Sequence, residues 1–206
     1  MSQARIQPAG NFYDKYRTRN PIARLLMSGF LRAFDELRAM AAGEGTALEI
    51  GCGEGELSMR IARDGVDVKG CDIAPEAIGE ARLRAASAGL DIPFSVCDIA
   101  AARANFAPAG LVVCCEVMEH LDDPEAALEV LDGLSTRYVL VSVPREPIWR
   151  LLNLARLRYI GSLGNTPGHV QHWSARAFLQ LLGTRLDVVA VRTPLPWTMA
   201  LCRVRR

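Results

Sequence analysis

Apolar residues recur at helical spacing from Asn20-Pro21 to about Ala42, at Ile22, Leu25, Leu26, Phe30, Leu31, Phe34 and Leu37. Gly43, Gly45 and Thr46 end that pattern. Short apolar runs and helical stretches then alternate. Ala47–Ile50, Asp67–Cys71, Ile92–Cys97, Leu111–Cys115 and Tyr138–Val143 read as strands. Glu56–Asp64, Pro75–Ala88 and Glu125–Leu134 read as helices, the last with Asp123 as its N-cap. A regular β-then-α order predicts parallel strands joined by right-handed crossovers.

The tail breaks this order. Ser174–Leu182 reads as a helix, followed by strands Leu186–Arg192 and Trp197–Val204 around "TPLP". That connection is too short for a crossover helix, so the two strands are expected to pair antiparallel. The expected fold class is α/β: a doubly wound, mostly parallel sheet of seven strands with one antiparallel strand near the C-terminus. No repeat or linker divides the chain, so residues 1–206 are read as a single domain. Within it, 1–42 form an N-terminal cover and helix, and 144–170 an insertion over the substrate.

Composition narrows the function class. Lys and Arg total 24 against 23 for Asp and Glu, which gives no general attraction to nucleic acid or membrane. No apolar run reaches the ~18 residues of a membrane span, and "MSQARIQPAG" lacks the apolar core of a signal peptide. The six cysteines form no C-x-x-C pair and sit mostly in strand-like runs, which suits reduced, buried thiols and a cytoplasmic protein. Nothing in the pattern sets an oligomeric state.

The first strand runs into "EIGCGEGELS", where Gly51, Gly53 and Gly55 permit a tight turn and close approach of a ligand. Asp72 ends the second strand, where an acid can accept hydrogen bonds from ribose hydroxyls, and Asp98 ends the third. All three features belong to the C-terminal strand ends, where ligands of open α/β sheets bind. A dinucleotide fingerprint is G-x-G-x-x-G, but position 56 is Glu, which speaks against an NAD-dependent oxidoreductase.

"ALEIGCGEGELS", "VKGCDIAPEAI", "FSVCDI" and "LVVCCEVMEHL" resemble the successive motifs of class I S-adenosylmethionine-dependent methyltransferases. The resemblance implies S-adenosyl-L-methionine as cofactor, held by Glu49, Gly51, Gly53, Gly55, Asp72, Ile73, Asp98, Ile99 and Cys115. It also implies an upstream cover in "NFYDKYRTRNP", with Tyr13, Lys15, Tyr16 and Arg19 as candidates and Tyr16 the cofactor contact. A solvated tail anchored by its tyrosines is the alternative there.

In "CCEVMEHL", Glu116, Glu119 and His120 are spaced at i, i+3 and i+4, so a helical turn would place them on one face. The other two histidines, His169 and His172, lie in "NTPGHVQHWS", which follows the fifth strand and can fold back over the fourth. "EVMEH" with "GHVQHW" is similar to two groups of metal-dependent O-methyltransferases, the ubiquinone-biosynthesis and small-RNA 2′-O-methylating types. This implies Glu116, Glu119, His120 and His169 as ligands of Mg2+ or Mn2+, with Zn2+ left open, and His172 beside them. Without a metal, His120, His169 or His172 is a candidate base, and either device points to an oxygen acceptor.

The insertion carries Trp149, Leu152, Ala155 and Leu157 at amphipathic spacing, with Arg145, Arg150, Arg156 and Arg158 suited to an acidic group. Equally, those arginines can cover apolar surface with their stems. A small hydroxylated metabolite, an acidic one fitting the arginines, is the expected acceptor. No RNA-binding module is recognisable, so nucleic acid is the poorer expectation. The alternatives are N- or C-methylation without metal, RNA 2′-O-methylation, and an inactive cofactor-binding subunit.

Overall fold

A computed structural model describes residues 20–155, 160–166 and 168–205. Helix α1 (Pro21–Met40) leads into strand β1 (Thr46–Ile50), α2 (Glu56–Ala62), β2 (Asp67–Asp72), α3 (Pro75–Ser87) and β3 (Phe94–Val96). A 3₁₀ turn (Ile99–Ala101) and the short α4 (Ala102–Asn105) precede β4 (Ala109–Cys115). After a second 3₁₀ turn (Met118–His120) come α5 (Pro124–Leu134), β5 (Ser135–Pro144) and α6 (Ile148–Ala155). A third 3₁₀ turn (Ile160–Ser162), α7 (Ala175–Leu182), β6 (Leu186–Arg192) and β7 (Trp197–Val204) complete the order.

The seven strands are arranged β3-β2-β1-β4-β5-β7-β6. β1 through β5 run parallel to one another, and β7 is antiparallel to both of its neighbours, β5 and β6. The expected fold class holds, including the antiparallel end. Parallel strands covered on both faces need continuous apolar runs, and all seven residues of β4 are buried. Strand alternation sends Leu111 and Val113 to one layer, with Phe30, Phe34 and Leu37 of α1 and Leu57 and Ile61 of α2. Val112 and Cys114 face the other layer, with Leu128 and Leu131 of α5 and Phe178 and Leu182 of α7.

Local chemistry sets the element ends. Asn20 caps α1 by accepting from the N–H groups of Ile22 and Ala23, and Pro21 occupies the first helical turn. Asp123 caps α5 as expected, through Ala126 N–H at 2.9 Å. β3 is shorter than Ile92–Cys97, because Pro93 has no N–H to give to a ladder. Two of the helical-spacing residues of α1 stay in solvent: Ile22 is 64% and Leu25 71% exposed, so the buried stripe begins at Met27. No helix among the described residues is long and apolar enough to cross a membrane.

Phe34 is fully buried where α1 meets the sheet layer. Phe34→Ala is expected to lower unfolding free energy by about 3–5 kcal/mol in urea titration; a loss under about 1 kcal/mol would show that this contact does not hold α1 to the sheet.

Candidate active site

The C-terminal ends of β1, β2 and β3 lie side by side, with Ile50 opposite Cys71 and Asp72 opposite Val96. At the end of β1 the amides of Gly51 and Cys52 both donate to the Cys71 carbonyl, at 2.7 and 2.9 Å. The loop then doubles back so that Gly53 N–H donates to Asp72 Oδ2 at 2.9 Å, while Ala74 N–H donates to Oδ1 at 2.9 Å. Asp72 is thus oriented by two amides, with further lone pairs left to accept from a ligand.

The three glycines serve different ends. Gly51 has φ +72°, and a Cβ there would lie 2.2 Å from Val117 Cγ2, so the loop after β4 is seated directly on it. Gly53 has φ +52° and open space where a side chain would be, as a ligand-facing backbone requires. At Gly55, with φ +79°, a Cβ would strike the Phe94 ring at 2.8 Å, so the lack of a side chain here lets the start of α2 pack against β3. Glu49 is buried in β1 and accepts from Ser58 Oγ at 2.5 Å, beneath the same loop. Ile73 is 46% exposed beside Asp72, a large apolar surface at the crevice. Asp98 caps the following 3₁₀ turn through Ala100 N–H, with Ile99 half-buried next to it. Cys115 is buried at the end of β4.

Beyond β4 the structure brings Glu119, His120 and His169 together, one ligand atom from each lying within 4.8 Å of the others. Glu119 and His169 are buried. His120 and His169 meet edge to face, with ring centroids 4.9 Å apart. The Glu119 carbonyl accepts from both Val170 N–H and Gln171 N–H, at 2.9 and 3.0 Å, and Gln171 Nε2 donates to Leu121 O at 3.1 Å. His120 Nδ1 lies 2.9 Å from Gly168 O. A carbonyl only accepts, so Nδ1 carries the proton and Nε2 keeps its lone pair.

The insertion is tied to the same cluster. Trp149 of α6 stacks on His169 at 5.8 Å and donates through Nε1 to Thr166 Oγ1 at 2.9 Å. Asn153 Nδ2 donates to Gly164 O at 3.0 Å, and Arg150 Nε to Leu163 O at 3.0 Å. Arg150 thereby helps to hold the segment together through its Nε. Arg156, Arg158 and Leu157 lie outside the described residues, as do Tyr13, Lys15, Tyr16 and Arg19.

Two expected site residues stand apart from the cluster. Glu116 precedes the 3₁₀ turn instead of belonging to it, with φ +61°, so the three residues do not form one continuous helical turn. Its Oε1 accepts from Ser142 Oγ at 3.1 Å and its Oε2 from Trp197 Nε1 at 2.6 Å. His172 is exposed, with Nδ1 3.8 Å from Glu146 Oε1. Trp197, Ser142, Thr166 and Gln171 were not expected at the site. A tryptophan opening the last strand was legible, but the direction of its N–H was not.

Burial pushes the Cys71 thiol up to about 12, with the neighbouring Cys97 adding to the effect, and pushes Cys202 up to about 12. Cys52 and Cys114 are raised further by the same desolvation. A raised thiol pKa leaves almost no thiolate at pH 8.

Comparison with known proteins follows this geometry. Residues 47–134 match the family described as "Methyltransferase domain". The chain is 31% identical over 163 residues to the ubiquinone biosynthesis O-methyltransferase of Xanthomonas axonopodis pv. citri (strain 306), covering 73% of this chain and 66% of that one. The match thus reaches about two thirds of that relative's length. Among solved structures, magnesium protoporphyrin IX methyltransferase from Synechocystis PCC 6803 with bound SAH superposes with a TM-score of 0.72 at 21% identity, covering 93% and 91% of the two chains. The N-methyltransferase NodS from Bradyrhizobium japonicum WM9, also with SAH, gives 0.64 at 20% identity, covering 91% and 90%.

Sheet order, glycine loop and strand-end acids together define a methyltransferase fold of the Rossmann-like type. The chain belongs to the class I S-adenosylmethionine-dependent methyltransferases.

Cys97 is the one half-exposed thiol, the other five being buried. Native protein treated with iodoacetamide at pH 8 should therefore gain a single adduct, at Cys97, by peptide mass mapping; rapid labelling of Cys71 or Cys114 would contradict the burial that raises their pKa.

Proposed function

We propose that the chain methylates a hydroxyl oxygen of a small molecule, using S-adenosyl-L-methionine and a divalent cation held by Glu119, His120 and His169. The observation that carries this reading is the convergence of those three side chains beside the cofactor crevice. The relatives named as O-methyltransferases support the choice of oxygen.

The residues of the crevice fit the cofactor. Asp72, held by two amides, accepts the ribose hydroxyls; Ile73 packs on the adenine, and Asp98 with Ile99 flanks its edge. Gly53 leaves room for the methionyl portion, while Glu49 braces the loop from beneath and Cys115 closes its floor. When bound, the sulfonium supplies an activated methyl group, so the protein's part is to align the acceptor and take up its proton.

The cluster likewise fits a cation. His120 donates its Nδ1 proton to Gly168 O, which fixes the tautomer and directs Nε2 as the ligand atom. One carboxylate with two imidazoles suits Mn2+ or Zn2+ ahead of Mg2+, which prefers oxygen. Such a cation lowers the pKa of a bound hydroxyl. Trp149, stacked on His169, covers that side of the site and excludes water from it. Arg145, at the end of β5, has a buried Nε without a hydrogen-bond partner among the described residues, which suits an acceptor bearing a carboxylate. The balanced charge supports a small-molecule acceptor over nucleic acid, and the six free thiols support a cytoplasmic location.

Transfer of labelled methyl from S-adenosylmethionine to a set of catechols and hydroxybenzoates tests the reading. Activity should be lost on exhaustive chelation and restored by Mn2+ or Zn2+, and a rate unchanged by chelation would remove the cation from the site. Asp72→Asn should weaken S-adenosylhomocysteine binding by about ten- to a hundredfold in calorimetry, the scale of losing charge-assisted hydrogen bonds. Unaltered affinity would displace Asp72 from the ribose.

A further inference from the structure

The sequence pattern places Glu116 among the cation ligands, but its carboxylate is directed elsewhere by two elements that the motif does not contain. Trp197, the first residue of β7, is buried against Phe30 of α1, with ring centroids 5.1 Å apart, and against Trp149 of α6 at 6.0 Å. Its indole N–H reaches Glu116 Oε2 at 2.6 Å, a charge-assisted hydrogen bond inside a half-buried setting. Ser142, fully buried on β5, supplies the second donor at 3.1 Å. Each oxygen of Glu116 thus accepts one donor from outside the motif, which fixes the direction of the carboxylate.

What those bonds secure is a backbone conformation. Glu116 has φ +61°, a region that a side chain with a Cβ seldom adopts and that persists where surrounding contacts hold it. The turn at Glu116 sets the next residue, Val117, against Gly51, where no side chain would fit. It also sets the start of the 3₁₀ turn Met118–His120, hence the positions of Glu119 and His120 relative to His169. One residue therefore governs the cofactor loop on one side and the cation cluster on the other.

We infer that Glu116 is a positioning residue, clamped by Trp197 and Ser142, and not a cation ligand. This rests on the proposed cofactor and cation sites. It assigns Trp197 a part in the site although it touches neither the crevice acids nor the cluster carboxylate.

Titration calorimetry with S-adenosylhomocysteine and, separately, with Mn2+ tests the inference on Trp197→Phe, Glu116→Ala, Glu116→Gln and the Trp197→Phe/Glu116→Ala double variant. Trp197→Phe removes the indole donor and keeps a ring against Phe30. Trp197→Phe should weaken both ligands by about tenfold and Glu116→Ala by at least as much, and the double variant should be no worse than Glu116→Ala, which already leaves the indole without its acceptor. Glu116→Gln should restore both affinities to within about threefold of wild type, because its amide oxygen still accepts from the indole and its NH2 can donate to Ser142. Loss of Mn2+ binding alone, in Glu116→Gln as in Glu116→Ala, would make Glu116 a ligand and overturn the inference. So would unchanged affinities in Trp197→Phe. Should Trp197→Phe fail to fold, Ser142→Ala removes the other donor and is read in the same way. Wild-type protein that binds S-adenosylhomocysteine but not Mn2+ removes the cation alone, and the cofactor arm then decides. Wild-type protein that binds neither overturns the proposed function and the inference with it.

Discussion

Two amides, those of Val170 and Gln171, donate to a single carbonyl, that of Glu119. On this bifurcated contact depends the meeting of His169 with Glu119 and His120, residues some fifty positions apart in sequence. Neither partner belongs to a regular element. The carbonyl lies in a one-turn 3₁₀ helix, and the amides in an irregular segment between α6 and α7. Backbone donors and acceptors that lack a ladder must find each other or water. Here that requirement draws an insertion down onto the strand ends and brings its imidazole with it.

The sheet beneath was legible because its physics is repetitive. Buried parallel strands need unbroken apolar runs, helices between them need a stripe, and a four-residue connection cannot carry a crossover. Those rules located every strand, the antiparallel end and the cap at Asp123. They missed the short helical pieces at Ile99–Asn105, which are too brief to show a period. They also extended β3 through Pro93, a residue unable to join the ladder on its N–H side.

At the site, the residues that lie on strand ends were legible and those that depend on rotation of a side chain were not. Asp72 and Asp98 follow from strand position alone. Spacing grouped Glu116 with Glu119 and His120, on the premise of a continuous helical turn. A left-handed residue at Glu116 defeats that premise, and no local pattern signals it; the donor its carboxylate meets is a tryptophan from the far end of the chain. Likewise the basic residues of the insertion gave a charge pattern, whereas the role of Arg150 came from a carbonyl thirteen residues onward. Local sequence reports what a residue is; where its polar atoms go is settled by packing.

The direction of β7 has one more effect. Every parallel strand arrives at the functional rim with its last residue, after the whole strand has been laid down; β7 departs from it with its first, Trp197. The residues immediately before, Pro194-Leu195-Pro196, contain two rings that fix φ whether the chain is folded or not. A denatured chain so restricted at φ has fewer states to surrender when the indole is set in place.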